Sequence, residues 1–126
     1  MGLRDKEAEG IRPPLRSEIW FVAVPTDPPG KGKRPVVIVS SDGRNKNPRA
    51  DTVLIAPLTT TIHRDVPTQV FLPAGETGLQ EDSCVRAENI AVVRKETLEQ
   101  PRSGLRRISH TRICQIADAV KLAMAC

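Results

Sequence analysis

The chain reads RPVVIVS over residues 34–40 and APLTTT over residues 56–61. Each stretch is a short apolar run bordered by polar residues, and such runs predict buried β-strands. Arg34 precedes the first predicted strand and Thr59 follows the second, so both polar side chains are expected at strand ends. A guanidinium and a hydroxyl placed in this way can contact one phosphate. Phosphate chemistry is therefore the first functional hypothesis.

Apolar runs elsewhere in the chain extend this pattern into a mainly β protein. EIWFVAV, at residues 18–24, is apolar on both faces, as in a central strand. A loop rich in proline and glycine, residues 25–33, separates it from RPVVIVS. Further strands are predicted over residues 35–41, 51–57, 66–72, 83–93 and 105–108.

Helical periodicity appears only near the C-terminal end. Ser109 is a suitable N-cap, and the apolar residues after it recur at helical spacing. One face of this helix is predicted to carry Ile113, Ile116, Ala117, Val120 and Met124. The predicted fold is a small, strongly bent antiparallel sheet or barrel, closed by a C-terminal α-helix. Residues 1–15 are predicted to be a flexible leader, and residues 16–126 a single domain.

Basic residues are concentrated in two parts of the chain. The formal net charge is +4, which favours a polyanionic partner. One cluster lies between residues 31 and 49, where Asp42 is the nearest acid. The other consists of Arg102, Arg106, Arg107 and Arg112.

Cysteine, histidine and hydropathy patterns argue against several classes of protein. The three cysteines are an odd number without C-x-x-C spacing, which indicates reduced thiols in a cytoplasmic protein. The longest aliphatic run is residues 36–39, so no membrane partner is expected. His63 and His110 are isolated, so neither a metal nor another cofactor is expected. The chain also has no G-x-S-x-G motif.

Arginine, threonine and carboxylate side chains remain as candidate functional groups. Arg86 and Glu88 are two residues apart in SCVRAEN and are expected on one side of a strand. Taken singly, Arg34 fits a solvated charge, the Arg86–Glu88 pair a structural ion pair, and TTT a turn. Together they suit RNA cleavage without metal, which requires proton transfer and stabilisation of the phosphorane. Arginine is better suited to charge stabilisation than to proton donation, and the general base stays open.

Five motifs in order carry a resemblance to a known family: RSEIWFV, RPVVIVS, VLIAPLTTTI, PTQVFLPAGETGL and DSCVRAENI. Together they resemble the MazF/PemK family, the toxins of type II toxin–antitoxin pairs, from about Arg16 to the C-terminus. The resemblance implies an SH3-like barrel, a homodimer, and an mRNA interferase that cleaves single-stranded RNA selectively without metal. The implied products are a 2′,3′-cyclic phosphate and a 5′-hydroxyl.

The resemblance also implies partners and site residues. The partners are single-stranded RNA and an antitoxin with an acidic, disordered segment, and operator DNA is bound only by the toxin–antitoxin complex. Arg34 and Thr59 match the family's catalytic pair, and Arg86 and Glu88 match an arginine and an acid that some members use. RNA contacts are expected from Lys31, Lys33, Thr60 and Asn89.

The chain departs from the family pattern at three positions. Ser17 replaces a usual glycine, and this change is expected to be harmless. Ala91 and Arg94 stand where many members have arginine and aspartate, which puts a role for these two positions in doubt.

Two alternative functions share the predicted fold. A CcdB-like gyrase poison would use aromatic residues at the end of the helix, and residues 123–126 contain none. A barrel that binds nucleic acid without cleaving it would need stacking platforms, and the chain has only three aromatic residues. Both alternatives are therefore weaker than the nuclease.

Overall fold

The computed structural model describes residues 12–125, in which six antiparallel strands and a C-terminal helix form the framework. The strands are β1 (Ile19–Ala23), β2 (Lys33–Ile38), β3 (Thr52–Thr59), β4 (Gln69–Leu72), β5 (Ser83–Arg86) and β6 (Ala91–Arg94). The helices are α1 (Asp42–Asn45), α2 (Ala74–Thr77) and α3 (His110–Ala123). The strand order is β1-β2-β3-β5-β4, and β6 pairs with β3. The predicted class, a mainly antiparallel sheet with a C-terminal helix, is confirmed.

Strand β3 is the centre of the sheet and changes its partner along its length. Its first half pairs with β6, and its last two residues pair with β5. Pro57 lies between these two ladders, where its missing N–H removes no hydrogen bond to either strand. The proline is therefore compatible with a central strand.

Apolar residues are buried on both faces of the sheet. One face, called here the helix face, packs Ile19, Val37 and Leu58 against Ile113 and Ile116 of α3. The opposite face, called here the outer face, contains a second cluster. Its members are Trp20, Val22, Val24, Val36, Ile38, Val53, Ile55 and Val93. Because side chains alternate along a strand, neighbours in sequence belong to different clusters.

Strand pairing leaves the sheet open within residues 12–125, so it is a bent sheet rather than a closed barrel. Only isolated bridges, Glu18 to Arg107 and Phe21 to Glu99, cover the outer edge of β1. The predicted strand at residues 105–108 is wrong in extent, because Arg107 alone forms a bridge there. The connection before it turns at Gly104, whose φ is 94°.

The predicted strand over residues 83–93 is also wrong, because it is interrupted by the 3₁₀ turn Ala87–Asn89. The turn shifts the register, so that β5 and β6 each pair with a different part of β3. Residues 42–50 and 73–78, which connect predicted strands, each contain a single helical turn, α1 or α2.

Helix α3 begins at the predicted N-cap. The hydroxyl of Ser109 accepts a hydrogen bond from the backbone N–H of Arg112 at 3.2 Å. Ile113, Ile116 and Ala119 are buried. The prediction that Met124 lies on the buried face is wrong, because the helix ends at Ala123 and Met124 is 73% exposed.

The N-terminal boundary of the domain stays a prediction, since residues 1–11 lie outside the described part of the chain. Within that part, the Arg12 guanidinium and the Leu15 N–H both contact the carboxylate of Glu18. No helix among the described residues is long and apolar enough to cross a membrane.

Ser17 has a conformation that explains why a glycine is usual there. Its φ is 81°, and it is the one non-glycine residue with positive φ among residues 12–125. Its backbone is held on both sides, because its N–H donates to Ile38 and its carbonyl accepts from Ile108. A left-handed conformation costs an L-residue about 1–2 kcal/mol. The positive φ indicates an energetic cost at Ser17, and the expectation that serine is harmless here stays a prediction.

Candidate active site

Arg34 and Thr59, predicted as a pair, lie on neighbouring strands of the sheet. In the β2–β3 ladder, Val36 is opposite Pro57 and Val37 is opposite Ala56. Continuing this antiparallel register to the strand ends brings Arg34 opposite Thr59. Arg34 is two residues before Val36, so it belongs to the outer face, away from α3. The two side chains therefore share one end of the outer face.

An aspartate that sequence reasoning missed contacts Arg34. The Arg34 Nε lies 3.1 Å from the Asp27 Oδ2, and the two side chains are only 17% and 11% exposed. The N–H is not aimed at this oxygen, so the contact is an ion pair without a hydrogen bond. Asp27, rather than Asp42, is thus the acid nearest to the Arg34 guanidinium.

Asp27 lies in the loop between β1 and β2, and only the hairpin geometry indicates its position. Ala23 pairs with Lys33, so the chain between them must return over the start of β2. A turn in which the Asp27 N–H donates to the Val24 carbonyl at 3.0 Å begins this return. The only signal in the sequence was an acid in the loop that precedes Arg34.

The Thr59 hydroxyl keeps a donor free for a ligand. Its oxygen accepts a hydrogen bond from the Thr61 N–H at 3.2 Å, as expected for a turn of this composition. A hydroxyl that accepts one bond can still donate its own hydrogen. Thr60, also predicted in the site, is exposed in the bend that follows β3.

Arg86 and Glu88 are neighbours, but not because they lie on one side of the same strand, as was predicted. Arg86 ends β5, and Glu88 lies in the 3₁₀ turn, so the two do not share a strand face. Their contact is loose, with 3.7 Å between Arg86 Nε and Glu88 Oε1. The Thr68 hydroxyl donates to the other carboxylate oxygen of Glu88 at 2.5 Å. Glu88 is therefore oriented mainly by Thr68.

The residues expected to contact RNA have different surroundings. Lys31 is exposed in the β1–β2 loop, and Asn89 is half-buried at the end of the 3₁₀ turn. Lys33 is adjacent to Arg34 in β2, so its side chain leaves the opposite face, and it pairs with Glu99. Exposed ion pairs of this kind contribute about 0–1 kcal/mol, so this lysine is easily released.

Several residues of the basic clusters make contacts inside the fold. Arg44 donates to the carbonyl and hydroxyl of Thr52. Arg107 pairs with Asp42. Burial acts to raise the pKa of Asp42, but hydrogen bonds from the Arg16 N–H and Asn45, with nearby positive charges, lower it overall. These residues stabilise the fold rather than offer free charge to a polyanion.

Arg112 anchors α3 to α2. It donates two hydrogen bonds to Glu76, each at 3.0 Å. These bonds lower the pKa of Glu76 below its ordinary value, although burial acts in the opposite direction, and they raise the pKa of Arg112. This pair is on the side of the sheet opposite Arg34.

The outer face therefore carries the guanidinium groups of Arg34 and Arg86, the Thr59 hydroxyl and the Asp27 carboxylate, and the Glu88 carboxylate contacts Arg86 from the 3₁₀ turn. Such a set can stabilise a pentacovalent phosphorus and accept a proton. Within residues 12–125, no three histidine, cysteine or acidic side chains are grouped as metal ligands.

Comparisons with known proteins agree with the fold and identify the family. Residues 15–124 match the model of the PemK-like, MazF-like toxin of type II toxin–antitoxin systems. The endoribonuclease MazF9 of Mycobacterium tuberculosis is 34% identical over 115 residues, covering 85% of this chain and 92% of that protein. The chain belongs to the PemK-like, MazF-like toxin family. The predicted class, an endoribonuclease toxin of a toxin–antitoxin system, is confirmed at this level.

Solved structures support the same fold. A mycobacterial endoribonuclease in complex with its cognate antitoxin is 27% identical, with a TM-score of 0.70 over 88% of this chain and 94% of that one. MazF from Deinococcus radiodurans, at 14% identity, gives a TM-score of 0.70 over 90% of this chain and 98% of that one. At 14% identity, the match to the Deinococcus radiodurans protein shows only that the two folds are similar.

Proposed function

We propose that this protein cleaves single-stranded RNA at selected sequences without a metal ion, leaving a 2′,3′-cyclic phosphate and a 5′-hydroxyl. The observation that carries the proposal is the register of β2 and β3, in which Val36 is opposite Pro57; Arg34 and Thr59 are each two residues beyond this pair, with the same strand parity. Family membership supplies the reaction class. Arginine and threonine supply the donors that the reaction needs at phosphorus.

In the proposed reaction, the ribose 2′-oxygen attacks phosphorus and the 5′-oxygen leaves. The extra negative charge then lies on the equatorial oxygens of the phosphorane, where the Arg34 guanidinium and the Thr59 hydroxyl donate hydrogen bonds. Arg86 adds a second positive charge. Glu88 is the carboxylate that accepts the 2′-hydroxyl proton, because Asp27 is already held against a guanidinium. Water protonates the leaving 5′-oxygen, and the hydroxide formed takes the proton back from Glu88, which restores the carboxylate.

Asp27 must move for the phosphate to reach Arg34. Its carboxylate now lies beside the guanidinium, where a phosphate oxygen would bind. The β1–β2 loop that carries it is anchored by turns at Asp27 and Lys31, and residues 28–33 are exposed. RNA binding therefore exchanges one anion for another at Arg34.

The proposed partners follow from the charge of the outer face and from the family. RNA contacts Lys31, Thr60 and Asn89 beside the phosphate site. Lys33 is not included in this set, because its side chain leaves the opposite face of β2 and pairs with Glu99. An antitoxin inserts an acidic, disordered segment that folds on binding. Operator DNA is bound by the toxin–antitoxin complex only. The active form is a homodimer in the cytoplasm, consistent with the free thiols of Cys84 and Cys114.

The decisive experiment is incubation of purified protein with a long single-stranded RNA in EDTA, followed by mapping of both new ends. The expected result is cleavage at a restricted set of sequences with cyclic phosphate ends, and loss of cleavage in Arg34→Ala. Intact RNA with the unmodified protein would refute the nuclease. Full cleavage by Arg34→Ala would refute the assigned mechanism, and gyrase-dependent DNA breakage would favour the CcdB-like alternative.

A further inference from the structure

Buried polar atoms without hydrogen-bond partners are concentrated at the candidate site. Among residues 12–125, five side-chain atoms are both buried and unpartnered: Arg16 Nε, Asp27 Oδ2, Arg34 Nε, Gln69 Oε1 and Arg86 Nε. Arg34 and Arg86 belong to the proposed site, and Asp27 lies against Arg34. Arg34 Nε and Asp27 Oδ2 lie 3.1 Å apart and compensate each other as an ion pair. Buried polar groups in native proteins are nearly always hydrogen-bonded, so Gln69 Oε1 and Arg86 Nε are the atoms of the site that a ligand would satisfy.

Gln69 is the member of this set that the proposed reaction does not use. It begins β4, and its Cα partner across the β4–β5 ladder is Arg86. Directly opposed residues in a ladder place their side chains together on one face. The carboxamide of Gln69 therefore lies beside the Arg86 guanidinium, on the side of the sheet that carries Arg34 and Thr59.

The unpartnered atoms of this neighbouring pair require different ligand atoms. Arg86 Nε is a donor and needs an acceptor, which a phosphate oxygen provides. Gln69 Oε1 is an acceptor and needs an N–H or O–H, which a phosphodiester does not have. A nucleotide offers both, since its base edge carries N–H donors next to the phosphate.

A planar cation lies next to this pair. Phe71 follows Gln69 at the next position on the same strand face, and the Arg64 guanidinium carbon is 3.8 Å from its ring centroid. Arg64 is exposed. Proteins that recognise single-stranded RNA commonly stack bases on aromatic rings or on arginine planes and read their edges by hydrogen bonds. Both requirements are met on β4 and the segment before it.

We propose that Gln69 reads the base of a nucleotide adjacent to the cleaved phosphate, while Arg86 holds the phosphate itself. The inference rests on the proposed RNA cleavage and adds a residue that determines its sequence preference. Phosphate contacts carry no sequence information, whereas base-edge contacts do. A carboxamide can present either its oxygen or its nitrogen by a half-turn, so it can match more than one base edge.

The test is cleavage of an RNA library with randomised nucleotides, in which the sequences around every cut are counted. Unmodified protein, Gln69→Leu, Gln69→Glu and the control Gln80→Leu are compared. Leucine keeps the approximate size of glutamine without its hydrogen bonds, and glutamate keeps only the acceptor. Gln80 is exposed between α2 and β5, so Gln80→Leu should leave the sequence preference of cleavage unchanged.

In Gln69→Leu, preference at one nucleotide position should fall about tenfold, the equivalent of one good hydrogen bond, while preference at other positions stays. Gln69→Glu should shift that preference toward bases that present an N–H. A uniform loss of rate with unchanged preference would overturn the inference and would also be the result if Gln69 contacted the ribose. The inference would also be overturned if a folded, active Gln69→Leu protein kept its preference at every nucleotide position.

Failure of the inference and failure of the proposed function are separable. If unmodified protein leaves the library intact, the nuclease proposal fails. If it cuts, and Arg34→Ala does not, the nuclease stands and only the Gln69 profile decides the inference. Thermal melting of each variant identifies any that have not folded.

Discussion

Arg34 and Arg86 share one face of the sheet, but each has a different electrostatic environment. Arg34 is 17% exposed and lies 3.1 Å from a carboxylate that is 11% exposed. Arg86 is 41% exposed and lies 3.7 Å from a carboxylate that is 35% exposed. Water screens the second pair much more than the first. The Arg34 side chain is therefore fixed by its ion pair in the absence of substrate, whereas the Arg86 side chain can change its position when substrate binds.

The two carboxylates also reach their arginines by different routes. Asp27 is carried by a hairpin loop that returns over β2, while Glu88 follows Arg86 after one residue in the same turn. Glu88 has a second partner in Thr68, but Asp27 has only the guanidinium. We infer that the Asp27 carboxylate competes with the substrate phosphate for Arg34, and that the Glu88 carboxylate accepts the 2′-hydroxyl proton of the substrate.

The largest expected effect is at Arg34, and Arg86 provides the comparison. Arg34→Ala should lower kcat about 10²–10³-fold, since it removes a preorganised donor from the phosphorane. Arg86→Ala should lower kcat only about tenfold, because a partly exposed charge acts through water. Single-turnover cleavage of one defined RNA measures both. Equal losses in the two variants would remove the distinction between the two ends of the site.

The next largest effect is expected at Glu88. Glu88→Gln should lower kcat about 10²-fold with little change in KM, because removal of a general base affects the chemical step. The matched control is Thr68→Val, which frees Glu88 without removing it and should cost less. Unchanged kcat in Glu88→Gln would assign the base elsewhere.

Asp27→Asn should strengthen substrate binding, in contrast to the losses expected from the variants above. Removing the competing charge should lower KM about tenfold at low salt and steepen its dependence on salt, since Arg34 then meets phosphate without losing a partner. Affinity for a 2′-O-methylated RNA that is not cleaved should rise in parallel. If activity instead falls as far as in Arg34→Ala, Asp27 orients the guanidinium rather than competing for it.

The Arg112–Glu76 pair provides a comparison away from the site. The lowered pKa of Glu76 means that its ion pair stabilises the fold above the ordinary value of 4.5, and the contribution is lost as pH falls below it. Glu76→Gln should therefore reduce the urea midpoint at pH 7 but not at pH 3, with RNA cleavage unchanged. An equal fall in the urea midpoint at pH 7 and at pH 3 would contradict the assignment of a stabilising ion pair between Arg112 and Glu76.

The smallest effect is expected at Ser17, which lies outside the site. Ser17→Gly should stabilise the protein by about 1 kcal/mol, because glycine adopts positive φ without the cost that serine bears. Ser17→Ala keeps that cost and is the control. Cleavage rates should be the same in all three proteins. Thermal unfolding gives the comparison, and equal stability of the glycine and serine forms would show that the φ of 81° is not strained.

Sequence patterns predicted much of the framework because it depends on local chemistry. The apolar runs of β1, β2 and β3 and the Ser109 cap are recognisable without any contact information. The pattern did not predict the 3₁₀ turn between β5 and β6. Apolar residues on both sides of Arg86, Glu88 and Asn89 are compatible with one long strand as well as with two short ones. The bend depends on pairing with β3.

Periodicity and residue type are local properties, so the fold class and the family could be predicted from the sequence alone, and Arg34 and Thr59 could be selected as site candidates. Which charges contact each other depends on how the strands pair. Asp27 reaches Arg34 through a hairpin, and Gln69 reaches Arg86 through the register of two strands. Tertiary structure also decided that Lys33 faces away and that Ser17 carries positive φ. Electrostatic partners depend on separations in space, and these become defined only when strands distant in sequence pair.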